Sequence, residues 1–553
     1  MIRIRLLPGI VMASLAILVL IPLCFIILQA LFPSIVGDGL SRPFAPLLAL
    51  IHEPDLPQLL INTLLLGVGV AAITAGIAIP LGALRGLFNV PFARLWDLLF
   101  LVPFLIPPYI AGLSWMLTLQ PNGYAKQLFG ISPGESIFSL GGMMFIMALN
   151  LFPVLYFAVS RSMAASGNRL ADVARVHGAS GWQAFFRVTL PLSLPSIGAG
   201  ILLIFTLSIE EYGIPAAIGT PNGIRVFTTA IEQRLADWPI DLPGAASLSL
   251  LLASIALFAY SLQRSLISGR NVATTTGKAA GLVTRSLGNW RWPVIALFAL
   301  VAFLAVGMPL LAMLGTAFSS TVSGGLAFDN LTLRHFAGLI DAHSEAFDAL
   351  LTSVSLASAT AILTGVIGFL CAWLVVSQRI KGAVIIDALS LLPIAIPGIV
   401  VAVGLILAWN QPFWPVTPYH TGFILLLAYS CLLLPYPVRY CSAAFTQIGG
   451  SLADAARVHG AGAITTLRLI LFPLVLPGLL AAMMLVFAVA SRELVSSLLL
   501  APAGMQTVSI FVWRQFEQGS IGSGMAMACV AVVMSLSLML AAQLVQQRYQ
   551  QNA

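Results

Sequence analysis

The sequence predicts an all-α polytopic membrane protein of about twelve transmembrane helices, built as two parallel six-helix repeats, and three observations carry that prediction. Of 553 residues, 59% are hydrophobic and only 8% charged, where a soluble domain carries about 25% charged residues. The apolar residues gather into runs long enough to cross a bilayer, which takes about 20 residues. Finally, Ala171-Asp172-Val173-Ala174-Arg175-Val176-His177-Gly178-Ala179 returns as Ala453-Asp454-Ala455-Ala456-Arg457-Val458-His459-Gly460-Ala461, a spacing of 282 residues with one substitution. In a chain this apolar, such a polar repeat marks an internal duplication.

Taken in order, the spans of the first half fall near 9–32, 57–84, 97–118, 138–160, 196–218 and 244–263. Those of the second half fall near 293–318, 348–376, 384–409, 422–440, 478–500 and 522–545. The first run follows Arg3 and Arg5, is too long for a signal-peptide core and has no clear small-residue cleavage site, so it reads as a retained span. With the N-terminus inside, all but seven of the 26 Lys and Arg residues lie in inner loops; the seven are Arg42, Lys126, Arg225, Arg234, Arg334, Arg492 and Arg514. That bias supports cytoplasmic termini. Both copies of the repeated segment then face the cytoplasm, and the six spans between them return the chain to the same side, so the repeats are parallel.

The duplication extends beyond the segment. Leu101-Val102-Pro103-Phe104-Leu105-Ile106-Pro107 matches Leu391-Leu392-Pro393-Ile394-Ala395-Ile396-Pro397 at a spacing of 290 residues, in the third span of each half. Residues 265–292, rich in Ser, Thr, Gly and basic residues, read as a cytoplasmic linker. The domain organisation is therefore 1–264, with its repeated loop near 162–195, and 293–553, with its loop near 442–477. Net charge is +7, but the basic residues are spread over short loops without the clustering that a nucleic-acid partner requires. Cys24, Cys371, Cys431, Cys441 and Cys529 form no CxxC pair, which argues against a disulfide framework or a zinc site and for small packing residues.

Each repeated segment is expected to be a short helix of about two turns, N-capped by Asn168 or Ser451, with Ser451 and Asp454 as a capping-box-like pair. Gly178 and Gly460 are natural stops. Alanine and an acid, Gly a few residues on, and a further Pro (Leu190-Pro191, Phe472-Pro473) resemble the EAA loop of ABC-importer permeases. The acid sits in Ala-Asp-Val-Ala and Ala-Asp-Ala-Ala in place of Glu-Ala-Ala. With both halves fused, the chain is most similar to iron(III)-type permeases of the type I importer fold. The resemblance implies that each loop is a coupling helix docking into a cytoplasmic ATPase subunit, through Ala171, Asp172, Ala174, Arg175, His177 and Gly178 and through Ala453, Asp454, Ala456, Arg457, His459 and Gly460. Two docking sites imply two ATPase copies, with ATP and Mg held there, no cofactor in this chain, and a periplasmic or extracellular solute-binding protein as a further partner beside the membrane lipid.

No phosphate loop is present: the lone Gly277-Lys278 pair is followed by Ala279 and has Val272 where the first glycine belongs. The chain is thus expected to be a transport subunit of the inner membrane, not an enzyme. Glu210, Glu211 and Tyr212 in the fifth span, and Arg492 and Glu493 at the matching place in the eleventh, are candidates for a translocation pathway or gate, because ionisable residues in a span need a cavity or a partner. An Arg492 pair with Glu210 or Glu211 that merely locks the halves together is the structural alternative. Acids there suit a hard cation such as Fe3+, with thiamine, an organophosphonate or a sugar phosphate as rival substrates. His335 and His343 lie near acids at a spacing that matches no strong metal rule. An ion-coupled secondary transporter would instead show broken helices with ion ligands at the bilayer midplane, and a channel a ring of filter residues.

Overall fold

The computed structural model describes residues 2–33, 40–131, 134–268, 285–341, 343–378 and 380–552. Asp38, Arg379 and most of the linker, including Arg270, Gly277 and Lys278, lie outside the described residues. Among those described, nine helices are long and apolar enough to cross a membrane, and three bent pairs bring the number of spans to twelve. All twelve overlap the expected runs, although the fifth and eleventh, Gly181–Glu210 and Ala463–Ala490, lie earlier in the chain than the expected 196–218 and 478–500.

Proline sets where they depart from straight helices. The third span breaks between Ala93–Phe104 and Pro108–Leu119, the ninth by 114° between Ala383–Ala395 and Gly398–Trp409, and the tenth by 42° before Pro435. Ile106 and Ile396, each just before a proline, are extended, as clash with the proline ring requires. Pro80, Pro153, Pro195 and Pro477 lie inside α-helices with no π-turn directly before them, but at other prolines a π-turn takes up the strain. The π-turns Ala16–Leu20, Phe185–Thr189, Pro215–Gly219, Phe303–Gly307 and Leu467–Leu471 each end two residues before a proline: Pro22, Pro191, Pro221, Pro309 and Pro473. Proline lacks an N–H and its ring collides with the carbonyl four residues back. One extra residue in the preceding turn moves that carbonyl aside.

The chain forms two compact units that do not follow the two sequence halves: residues 1–53, 231–253 and 316–553 form one, and residues 54–230 and 254–315 the other. Each half's first span therefore belongs to the unit containing most of the other half. In the smaller unit, Phe298 of the seventh span stacks on Phe100, with ring centroids 5.6 Å apart, and Phe100 meets Phe152 and Tyr156 edge-on at 5.0 Å. Beside this cluster, Arg85 clasps both carboxylate oxygens of Asp97, and the Tyr156 hydroxyl donates to the same carboxylate at 2.7 Å. In the larger unit the first span lies against Gly398–Trp409 so closely that a Cβ on Gly404 would come within 2.8 Å of the Pro22 carbonyl.

Small residues govern the closest approaches, as expected where lipid supplies no hydrophobic drive between helices. Along Leu56–Leu87, the residues Gly67, Ala71, Thr74, Ala78, Gly82 and Gly86 form one buried stripe. A Cβ on Gly86 would sit 2.6 Å from the Ser160 carbonyl, and one on Gly368 2.9 Å from the Val438 nitrogen. Both neighbours are backbone and cannot swing away. Gly86→Ala and Gly368→Ala should each cost about 1–3 kcal/mol as overpacking and lower the melting temperature of detergent-purified protein. Gly76→Ala, whose Cβ meets nothing within 4 Å, should leave it unchanged or raise it.

Candidate functional site

The first repeated segment is the end of one continuous helix, Leu140–Val176, not the separate short helix that the sequence suggested, and Asn168 lies inside that helix instead of capping it. The second is separate, Ser451–Val458. The difference traces to Gly449-Gly450: Gly449 adopts φ +70° and ends the preceding helix, whereas the first copy has Gly167-Asn168 there and runs on. Gly450 is the N-cap of the second copy and Ser451 the first helical residue, with no side-chain cap. Asp454 turns to Arg457 at 3.2 Å, so the expected Ser451–Asp454 box does not form.

Both copies end alike. Gly178 at φ +90° and Gly460 at φ +81° take the left-handed conformation. Gly178 N–H donates to Arg175 O and Ala179 N–H to Ala174 O, and the second copy repeats this with Gly460 to Arg457 and Ala461 to Ala456. This is a Schellman stop. The first copy then restarts on a capping box that the Ser180-Gly181-Trp182-Gln183 pattern could have signalled: Gln183 N–H donates to Ser180 Oγ, and Ser180 N–H to Gln183 Oε1. Gly462 stands in its place in the second copy.

Ala171, Ala453 and Ala456 are buried, while Val176 and Val458 are each 85% exposed. Beyond the first stop, Trp182 is 75% exposed and stacks on Phe186, ring centroids 5.7 Å apart. Each copy therefore holds a small-residue face against its own unit and thrusts an apolar tip outward. The copies differ in charge pairing. Asp172 receives Arg285 of the linker at 2.6 Å, whereas Asp454 pairs within its own helix. Arg175 and Arg285 line a cavity of about 430 Å3 with Leu84, Leu87, Trp182 and Phe185. His177 is exposed, its Nδ1 2.9 Å from the Val173 carbonyl, and His459 is exposed at the matching place.

The fifth and eleventh spans end sooner than expected, at Glu210 and Ala490. Leu190–Glu210 stops at Glu211, which is extended, and Phe472–Ala490 stops at Ser491. Glu211 and Glu493 occupy equivalent places 282 residues apart and do equivalent work. Glu211 Oε1 accepts the Gly213 N–H at 2.9 Å, and Glu493 Oε1 accepts the Ser496 N–H at 3.2 Å. Each carboxylate thus serves the amides that the break exposes, a role that sequence alone did not suggest. Tyr212 is buried beside it. Glu210 differs: its Oε1 is buried and has no hydrogen-bond partner among the described residues. Arg492, half-buried, holds the place equivalent to Glu210 in the other unit.

After each break a hydroxyl from the half's second span fixes the next helix. Thr63 Oγ1 accepts the Phe227 N–H at 3.0 Å, and Ser353 Oγ accepts the Val508 N–H at 2.8 Å. The duplication is therefore carried into the hydrogen bonds. The family described as binding-protein-dependent transport system inner membrane component matches residues 78–271 and again 364–551. The chain belongs to that family.

Among relatives, a ferric transport system permease protein of Actinobacillus pleuropneumoniae is 25% identical over 536 residues, covering 92% of this chain and 74% of that protein. An Fe(3+)-transport system permease protein of Haemophilus influenzae is 26% identical over 542 residues, 96% and 97% of the two chains. A putative 2-aminoethylphosphonate transport system permease protein of Salmonella typhimurium is 28% identical over 250 residues, 44% of this chain and 89% of its own. The chain is a membrane-spanning permease of the ABC-importer class with two fused halves.

Among the described residues no group of three or more His, Cys, Asp or Glu side chains is placed to hold a metal ion. His335 is instead 3.1 Å from both Ser523 Oγ and the Ser319 carbonyl, and the His343 N–H donates to Asp341. Cys371, Cys431, Cys441 and Cys529 are buried, as packing residues should be, but Cys24 is exposed.

The break carboxylates yield a direct test. Glu211→Ala and Glu493→Ala should each lower the melting temperature, with a loss of about 0.5–2 kcal/mol typical of a removed cap. Glu211→Gln and Glu493→Gln keep the accepting oxygen and should stay close to the parent protein in the same thermal melt.

Proposed function

We propose that this permease imports iron(III), delivered by a solute-binding protein outside the inner membrane and released inward by alternating access. The observation that carries the substrate is end-to-end similarity to ferric permeases, across both halves. The phosphonate relative matches less than half of the chain, which makes a phosphonate the second reading. Power comes from two copies of a cytoplasmic ATPase that bind ATP and Mg. Each copy receives one repeated segment, with Val176 or Val458 as the apolar tip and the glycine stop fixing its angle. On this reading the termini lie in the cytoplasm. Glu210, Glu211 and Tyr212 in one unit, and Arg492 and Glu493 in the other, serve the pathway or its gate. Glu210 is the strongest candidate, since a buried carboxylate oxygen without a donor suits a hard cation.

In proteoliposomes holding the permease, its ATPase and its binding protein, ATP should drive accumulation of radioactive Fe(III) and leave 2-aminoethylphosphonate outside. Uptake that ignores ATP and follows an imposed proton or sodium gradient would overturn the importer reading. For docking, Gly178→Pro combined with Gly460→Pro should abolish copurification of the ATPase while membrane insertion persists, because proline cannot reach φ +90° or +81°. An intact, substrate-stimulated complex would exclude that role.

A further inference from the structure

The two docking segments are nearly identical in sequence, yet their surroundings differ. Residue 285, at the end of the linker, is laid against the end of the second span: Arg285 N–H donates to the Leu87 carbonyl at 3.2 Å, and Asn89 N–H donates to the Arg285 carbonyl at 2.8 Å. These two bonds form a parallel bridge with Phe88. They fix the backbone from which the guanidinium reaches Asp172 Oδ1 at 2.6 Å. Asp172, in turn, sits one residue after the buried Ala171, on the last turns of Leu140–Val176. Three parts of the chain, distant in sequence, thus meet at one side chain. The Arg285 side chain is only 29% exposed.

Nothing comparable engages the second segment among the described residues. Asp454 pairs with Arg457 three residues along the same helix, and those side chains are 69% and 57% exposed. That pair ties the helix only to itself. The first segment also borders the cavity lined by Leu84, Leu87, Phe185, Arg175 and Arg285.

We propose that Arg285 is a positioning residue for energy coupling: the end of the linker at residue 285 acts as a strut that holds the first docking segment against the end of the second span, and among the described residues the second docking segment has none. The proposal rests on the docking role of the repeated segments. A partly exposed ion pair ordinarily contributes little to stability because ordering two long side chains offsets the attraction. Here the backbone bridge has already ordered one partner, so the pair transmits position. A push on the first segment by the ATPase is passed to the second span directly. Loss of the strut lets the segment yield, so ATP is hydrolysed without a matching movement of the spans.

The test uses the full chain reconstituted with its ATPase and binding protein, with radioactive Fe(III) as the probe. The reading is ATP hydrolysed per iron imported. Arg285→Ala should raise that ratio at least threefold while the ATPase still copurifies. Arg225→Ala, which breaks a partly exposed ion pair with Asp55 outside both docking segments, should leave it within experimental scatter of the parent. The exchange Arg285→Asp with Asp172→Arg should return the ratio towards the parent value, a rescue that a purely structural loss would not show. If Arg285→Ala fails to insert, Arg285→Gln supplies the same reading.

An unchanged ratio in Arg285→Ala, or an equal rise in Arg225→Ala, overturns the strut. Failure of the docking reading is separate: it appears as continued copurification in the Gly178→Pro, Gly460→Pro protein. A strut that fails while those prolines dissociate the ATPase fails alone.

Discussion

A backbone amide inside a bilayer has no water to fall back on, and each proline in a span deletes one N–H and displaces one carbonyl. Much of this structure follows from how the chain meets that constraint. At some prolines a five-residue π-turn precedes the ring, as at Pro22 and Pro309 in the first span of each half and at Pro191 and Pro473 in the fifth. Elsewhere the helix gives way, as before Pro107 and Pro397, and the span bends. The exposed amides then become fixed points that side chains can hold. Glu211 and Glu493 do so at the breaks that end the fifth and eleventh spans.

The repeat is therefore preserved where the backbone needs satisfying and relaxed where it does not. Glu211 and Glu493, Thr63 and Ser353, and Gly178 and Gly460 keep equivalent hydrogen bonds or dihedral angles in both halves. The neighbouring pair Glu210 and Arg492 differs in charge, and Asp172 and Asp454 differ in partner. A twofold scaffold with unlike charges at matching points can treat its two sides differently while folding by one rule.

The twelve spans were legible because hydrocarbon thickness demands a run length that composition displays directly. The glycine stops were equally legible, since a left-handed residue after a helix admits few side chains. The start of each repeated segment was not. Asn168 has the chemistry of a cap, but no break precedes it, and Gly449-Gly450 interrupts only the second copy. The acids in the fifth and eleventh spans drew attention by their cost in lipid, and all were read as one group. Only coordinates separate Glu211, which serves a local amide, from Glu210, whose oxygen has none. Arg285 could not be found from sequence, because its meaning depends on three segments far apart along the chain.

The exchange of first spans between units has a consequence for how the protein is made. Pro22 and Ile26 pack on Gly404, which the ribosome reaches nearly 400 residues later. At about 5–20 residues per second, the newborn first helix stands in the bilayer for roughly 20 to 80 seconds with only lipid beside its Gly404-facing surface. Lipid or an insertion factor must chaperone that surface until the ninth span arrives, so assembly is limited by the order of synthesis before it is limited by folding.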